Sequence, residues 1–157
     1  MRRLVLAAAV AVAMAPGVVR ASGWDRGANE AFDGFAEAVT RAGHRPALVD
    51  RGCAGAAWLV CDLQIRDIPV RVRADLPPGR IREVQMTLSA RTTTANAAAG
   101  LHTLLLWAEP QASDDARRAA VLAILQGQGS RRSADVGRTH IEATEGFGGW
   151  TVVARPR

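Results

Sequence analysis

Apolar residues in the first part of the chain recur every three or four positions. This spacing runs from Trp24 to Ala42 and predicts a helix with one buried face and one solvated face. The apolar stripe consists of Phe32, Phe35, Ala36, Val39 and Ala42. Gly43 suits the position after a helix, and Pro46 prevents its continuation. We therefore expect an amphipathic N-terminal helix that packs on another element.

The next segments change to a period of two, which is typical of strands with one buried face. The alternation covers residues 58–66, 70–73 and 83–89, and its apolar positions are Leu59, Cys61, Leu63, Ile65, Val70, Val72, Val84, Met86 and Leu88. The sequence from Leu76 to Gly79 contains two prolines and a glycine, a strong turn signal. These segments predict an antiparallel meander of three strands with one dry face and one wet face.

Helical spacing returns after residue 91. Residues 92–94 are three threonines that suit an N-cap, and apolar positions from Leu101 to Ala108 follow before Pro110. Ser113 is placed to cap a second helix, which ends near Gly127. Two helices joined so closely predict a helical hairpin.

The C-terminal part alternates again, in residues 139–145 and 150–155, on either side of a glycine-rich turn over 146–149. The complete order predicts an α+β fold of two layers. Its antiparallel sheet has five strands, namely the three-strand meander and a C-terminal hairpin. An N-terminal helix and the helical hairpin cover one face.

The first residues have the pattern of a secretory signal peptide. Arg2 and Arg3 precede an uncharged apolar run from Leu4 to Ala15, which is shorter than the roughly 20 residues a membrane span needs. Val19 and Ala21 suit a signal-peptidase site. We expect cleavage after Ala21, a single globular domain over 22–157, and a periplasmic or secreted location. The alternatives are an uncleaved anchor and a buried N-terminal helix.

Charge gives little support for an anionic partner. The formal net charge is +5 and every cation is arginine, but removal of residues 1–21 would take away three arginines and leave +2. Nucleic-acid binding favours a concentrated basic face with interleaved aromatic residues, and no such segment is evident. We expect no nucleic-acid partner and no stable membrane insertion after signal removal.

Cys53 and Cys61 are the two cysteines of the chain. An even number of cysteines in an exported protein predicts a disulfide. Two buried free thiols are the alternative, and a metal site would require a further histidine or cysteine nearby.

The histidines at positions 44, 102 and 140 do not have the spacing of a helical metal pair, so we expect neither a metal nor a cofactor. His140 and Glu142 share one face of the predicted last hairpin, with Glu145 nearby. A histidine beside a carboxylate is the one candidate for general-base catalysis. The polar face of a half-exposed strand produces the same pattern without catalysis.

Two groups of residues are candidates for binding. Trp58 and Val60 are out of phase with the buried positions and predict an apolar patch on the wet face, unless another segment covers them. Arg131 and Arg132, with Arg138 close by, follow a Gly-Ser junction and suggest a mobile anion-binding loop, or a solvated loop without function.

These patterns favour an exported, non-catalytic binding module that contacts another protein. A small hydrolase-like enzyme that uses His140 and Glu142 is the first alternative. An immunity or inhibitor protein against an exported toxin is the second, and it shares every sequence feature of the binding module.

Overall fold

The computed structural model describes residues 20–43, 48–76 and 79–157. Most of the predicted signal peptide and His44 lie outside the described residues. The described part forms an α+β fold with three α-helices and one antiparallel sheet. The helices are α1 (Ala31–Arg41), α2 (Thr94–Ala108) and α3 (Asp114–Gln126). The strands are β1 (Leu48–Ala54), β2 (Leu59–Ile65), β3 (Ile68–Ala74), β4 (Ile81–Ser89), β5 (Arg131–Val136), β6 (Thr139–Gly146) and β7 (Gly149–Pro156).

The sheet has seven strands in the order β1-β2-β3-β4-β7-β6-β5, so the expectation of five strands was wrong. The two additional strands are the outer ones. The register of β1 shifts between Asp50 and Cys53, where Gly52 has a positive φ, and this bulge breaks the alternation of side chains. The sequence of β5 has only two apolar residues, because an edge strand buries little surface.

Paired positions form continuous rows across the sheet. One row joins all seven strands on the helix-facing side and consists of Cys53, Cys61, Val72, Val84, Ala154, Ile141 and Ala134. The members of this row on the five inner strands are almost fully buried. The opposite face, here called the open face, carries exposed ion pairs such as Arg71–Asp62 and Arg155–Glu83. The two-residue period predicted for the inner strands is confirmed.

Helix α1 begins at Ala31, seven residues later than the pattern indicated. Residues 23–30 instead contain two 3₁₀ turns, Gly23–Asp25 and Ala28–Glu30. The side chain of Ser22 caps the first turn and also donates a hydrogen bond to the carbonyl of Ala108. This segment packs against α2 rather than extending α1.

An aromatic cluster joins α1 to α2. Phe35 stacks on Trp107 with ring centroids 4.7 Å apart, and Trp24 meets Trp107 edge-on at 5.0 Å. Buried positions on α1 include Ala31, Phe35, Ala38 and Val39, whereas Phe32 is only partly buried. The buried face of α1 is therefore rotated from the predicted stripe, because the side of α1 that packs on Trp107 is the side that becomes buried.

The predicted caps of α2 and α3 are observed. Thr93 accepts a hydrogen bond from the Asn96 amide at 3.2 Å, and Ser113 accepts one from the Ala116 amide at 3.2 Å. The two helices are in contact, but contact alone does not define the angle between their axes, so the helical hairpin stays a prediction. In the described ranges, no helix is both long and apolar enough to cross a bilayer.

Candidate functional site

A cleft of about 420 Å³ opens on the helix-facing side of the sheet, near the turn between β6 and β7. Trp150 and Leu88 contribute apolar surface from the sheet, and Ile124 and Leu125 contribute it from the end of α3. Threonines at the start of α2 complete the rim. The volume falls in the range of small ligand sites, about 300–1,000 Å³.

Arg132 lies across the aromatic part of this cleft. Its guanidinium carbon is 4.0 Å from the centroid of the Trp150 ring, a cation–π contact. Nη1 of the same side chain donates to the carbonyls of Ile124 and Leu125 at 2.9 and 3.0 Å. Arg132 therefore satisfies the last turn of α3 and covers one side of Trp150 at the same time.

The position of Arg131 and Arg132 corrects the expectation of a mobile arginine loop. Both residues belong to β5 and pair with Thr144 and Ala143 of β6. Because side chains alternate along a strand, Arg131 lies on the open face and Arg132 on the helix-facing side. The two guanidinium groups are thus on opposite faces and do not form one anion site.

The turn between β6 and β7 carries Phe147, and its glycines at positions 146, 148 and 149 line the cleft. Phe147 is fully exposed, with a relative accessibility of 115%. The residue after β4 anchors this turn, since the backbone amide of Ala90 donates a hydrogen bond to the Gly148 carbonyl at 2.8 Å. A Cβ on Gly149 would lie 2.0 Å from the carbonyl oxygen of Leu88, so only glycine allows this approach. The hairpin is therefore held against the main body while its aromatic tip faces solvent.

Sequence reasoning did not assign a role to Trp150 or Phe147. The sequence did contain a signal for Phe147. An aromatic residue in a two-residue turn with glycines on both sides has no neighbouring side chain to pack on. No comparable signal existed for Trp150. Its exposure depends on where α2 begins and α3 ends, which the local pattern does not specify.

The predicted Trp58 and Val60 surface lies elsewhere, on the open face. The Trp58 side chain is 41% exposed, and the guanidinium carbon of Arg73 is 4.2 Å from its ring centroid. Val60 is partly buried. Val60 is on β2 and Arg131 is on β5, which lie at the second and the last positions in the order of the sheet. Five strand spacings of about 4.8 Å therefore separate them by about 24 Å. The candidate binding residues therefore form three separate surfaces.

His140 and Glu142 both lie on the open face, but each has a different partner. Nδ1 of His140 is 2.8 Å from Oδ1 of Asp135, and Oε1 of Glu142 is 2.6 Å from Nε of Arg131. The hydrogen bond from Arg131 lowers the pKa of Glu142, and the hydrogen bond with His140 lowers the pKa of Asp135. Both carboxylates are therefore held in their charged forms.

Glu145 is on the other side of the sheet from His140 and Glu142. It pairs with Trp150 and lines the cleft. These three residues are close in sequence but are divided between the two faces of β6, and neither His140 nor Glu142 lines the cleft described above.

The predicted disulfide between Cys53 and Cys61 is confirmed. It joins β1 to β2 at directly paired positions, with Cα atoms 4.0 Å apart. Within residues 20–43, 48–76 and 79–157, no group of three or more histidine, cysteine, aspartate or glutamate side chains is arranged to hold a metal ion. His102 is a partly buried residue of α2.

No protein-family model, no curated protein and no solved structure matches this chain.

Proposed function

We propose that the chain is an exported, non-catalytic binding module that holds an apolar side chain of another protein in the cleft beside Trp150. The observation that carries this proposal is the cation–π contact of Arg132 with Trp150 inside one cleft, whose rim includes Gly146 and Gly148 on either side of the exposed Phe147. Tryptophan and arginine are enriched among the residues that dominate binding energy at protein interfaces. A cleft that presents both, on a rigid sheet, is suited to receive a partner.

The charges around the cleft favour an uncharged occupant. Arg132 and Glu145 have opposite charges and both line the cleft. Neither sign dominates, so the cleft does not select a strongly anionic or cationic group. Aliphatic and aromatic side chains gain most from leaving water here, about 1.5–3 kcal/mol for full burial of one large side chain.

Phe147 supports the same interpretation. A fully exposed phenylalanine gains nothing from the fold of its own chain, but it adds apolar area to any partner seated in the neighbouring cleft. We therefore place Phe147 at the margin of the interface and Trp150 at its centre.

The proposed location outside the cytoplasm has two supports. Disulfides persist mainly in oxidising compartments, and Cys53 is bonded to Cys61. Among the described residues, Arg20 and Ala21 are exposed and Arg20 makes a surface ion pair with Glu37, whereas Ser22 and Trp24, after the expected cleavage site, pack into the domain. We propose that the signal peptide ends at Ala21 and that the exported chain is periplasmic or secreted.

Site-specific photo-crosslinking in the producing cells tests this function. Phe147 is replaced by p-benzoylphenylalanine, and the same replacement at Trp58 and at the exposed Arg118 of α3 provides matched controls. We expect a covalent adduct with one protein from position 147 and none from position 118. Adducts from position 58 alone would transfer the function to the open-face surface of Trp58 and Val60. Equal adducts from all three positions would contradict a specific site.

A hydrolase-like activity is the second candidate. Asp135 is hydrogen-bonded to His140, and a carboxylate in this position orients a histidine that acts as a general base. Its weakness is that Glu142 is paired with Arg131 and not with His140. If the candidate is correct, a hydrolytic activity found with ester or peptide substrates disappears in His140→Ala and persists in Trp150→Ala. The immunity or inhibitor alternative predicts that the crosslinked protein is a toxin.

A further inference from the structure

The two edges of the sheet differ in regularity. At one edge, β1 is interrupted by the register shift between Asp50 and Cys53. Bulges of this kind twist an edge and prevent it from pairing with another strand. At the other edge, β5 pairs with β6 without any register shift. Strand β5 is therefore the regular edge of the sheet.

The direction of the backbone groups of β5 follows from one hydrogen bond. The Glu145 amide donates to the Ser130 carbonyl at 2.8 Å, so residues 130 and 145 form a hydrogen-bonded pair. Such pairs alternate along an antiparallel ladder. Residues 132, 134 and 136 consequently direct their backbone groups to β6. The N–H and C=O groups of Arg131, Ser133 and Asp135 point away from the sheet.

We propose that β5 pairs with β5 of a second copy of this chain, antiparallel, about a two-fold axis at Ser133. In this register Ser133 faces Ser133 of the partner subunit, and Arg131 faces Asp135 of the partner subunit. Each residue whose backbone N–H and C=O groups point away from the sheet then lies opposite another such residue, as the hydrogen bonds of a ladder require. The result is a continuous sheet of two copies.

Charge selects this register over its neighbours. Arg131 and Asp135 lie on the same open face, so the two-fold axis creates two identical Arg–Asp cross-strand pairs. A shift by two residues in either direction loses one backbone pair and places Arg131 or Asp135 opposite a serine. The side chains are accessible, at 74% for Arg131 and 50% for Asp135. Ser133, which is exposed and small, allows close approach at the axis.

The intrachain partners of these residues do not prevent the pairing. A guanidinium has five N–H donors and a carboxylate has about four acceptor positions. Arg131 therefore keeps Glu142, and Asp135 keeps His140 and Arg157, while each contacts the partner subunit. The proposed pairing uses Arg131, Ser133 and Asp135, whereas the side chain of Arg132 stays on the cleft side of the strand, so the inference goes beyond the proposed binding function.

Sedimentation equilibrium of the purified protein over a range of concentrations tests the proposal. We expect a reversible dimer. Arg131→Asp and Asp135→Arg each replace two attractions by two repulsions and should weaken the dimer at least about tenfold. The double variant restores both pairs with reversed sign and should recover the dimer. Arg118→Asp makes the same charge change away from β5 and should have no effect.

Ser133→Pro provides a test without a charge change. It removes the outward N–H of residue 133, which β6 does not use, and proline is tolerated at sheet edges. We expect this variant to be monomeric with an unchanged circular dichroism spectrum. A wild-type protein that is monomeric at every concentration overturns the proposal. A dimer that is indifferent to the single reversals, or a double variant that stays monomeric, overturns it equally.

Discussion

The indole N–H of Trp24 donates a hydrogen bond of 2.7 Å to the hydroxyl of Thr139, which lies 115 residues further along the chain. Thr139 in turn donates to Oε1 of Glu109 at 2.8 Å. Trp24 and Thr139 are both almost completely buried. This short polar chain joins the segment before α1, the end of α2 and the first residue of β6, and it anchors the N-terminal segment to the sheet.

Thr139→Val tests that anchor. Valine keeps the shape of threonine but leaves the Trp24 indole without its acceptor. An unpaired buried donor costs about 1–3 kcal/mol, and we expect the free energy of unfolding in urea to fall by that amount. Thr144→Val, at an exposed position of the same strand, is the control and should change it by less than about 0.5 kcal/mol. Equal effects of the two substitutions would show that the hydrogen bond is unimportant.

The aromatic cluster predicts different effects at two neighbouring glycines. A Cβ on Gly23 would lie 2.2 Å from Cε2 of Trp107, whereas a Cβ on Gly27 has no atom within 4 Å. Gly23→Ala forces the ring to move, and overpacking of this kind costs about 1–3 kcal/mol. Gly27→Ala should be within about 0.5 kcal/mol of wild type. Urea unfolding of both variants measures the difference, and a tolerant Gly23 would contradict the packing described.

The five inner strands were predictable from the sequence because each buries most of the side chains on one of its faces. Val70 and Val72, for example, alternate with Arg71 and Arg73, and only the valines are buried. The outer strands gave a weaker signal, since β5 has a neighbour on one side only. The start of α1 was predicted too early. The path of the chain before α1, where Gly23 lies against Trp107, is determined by tertiary packing and not by local periodicity.

The candidate site was only partly predictable for the same reason. Arg132 was identified, but its relation to Trp150 depends on the path of the chain through β5, β6 and β7. Pairing of β4 with β7 places Leu88 beside Trp150, although the two are far apart in sequence. Local alternation assigns residues to a face, and it does not determine which strands become neighbours or where helices leave the sheet uncovered.

Loss of the disulfide should destabilise the domain without unfolding it. A nine-residue loop closed by one bridge contributes about 2.5 kcal/mol in the chain-entropy model. We expect Cys53→Ser to lower the free energy of unfolding by about this amount and to make it insensitive to reductant. The wild-type protein in reductant should approach the variant. A wild type that is unaffected by complete reduction, verified by a thiol count, would contradict this prediction.

The Glu142–Arg131 pair predicts a pH-dependent contribution to stability. Arg131 lowers the pKa of Glu142 from its ordinary value of 4.5, so the folded state favours the ionised form. The stabilisation is present above that value and disappears as the pH falls through the lower pKa of the folded state. The stability difference between wild type and Glu142→Gln should therefore favour wild type near neutrality and shrink towards zero in acid. A difference that is the same at every pH would refute the assignment.

The central claim is that a partner protein binds at Trp150, and the four tryptophan indole N–H signals in a nitrogen–proton spectrum test it most directly. Trp150→Phe and Trp58→Phe identify two of the four signals, and the protein captured from position 147 is the titrant. We predict that the Trp150 signal shifts, while the exposed Trp58 and the buried Trp24 and Trp107 keep their positions. Binding that moves the Trp58 signal and leaves Trp150 unchanged would contradict the account.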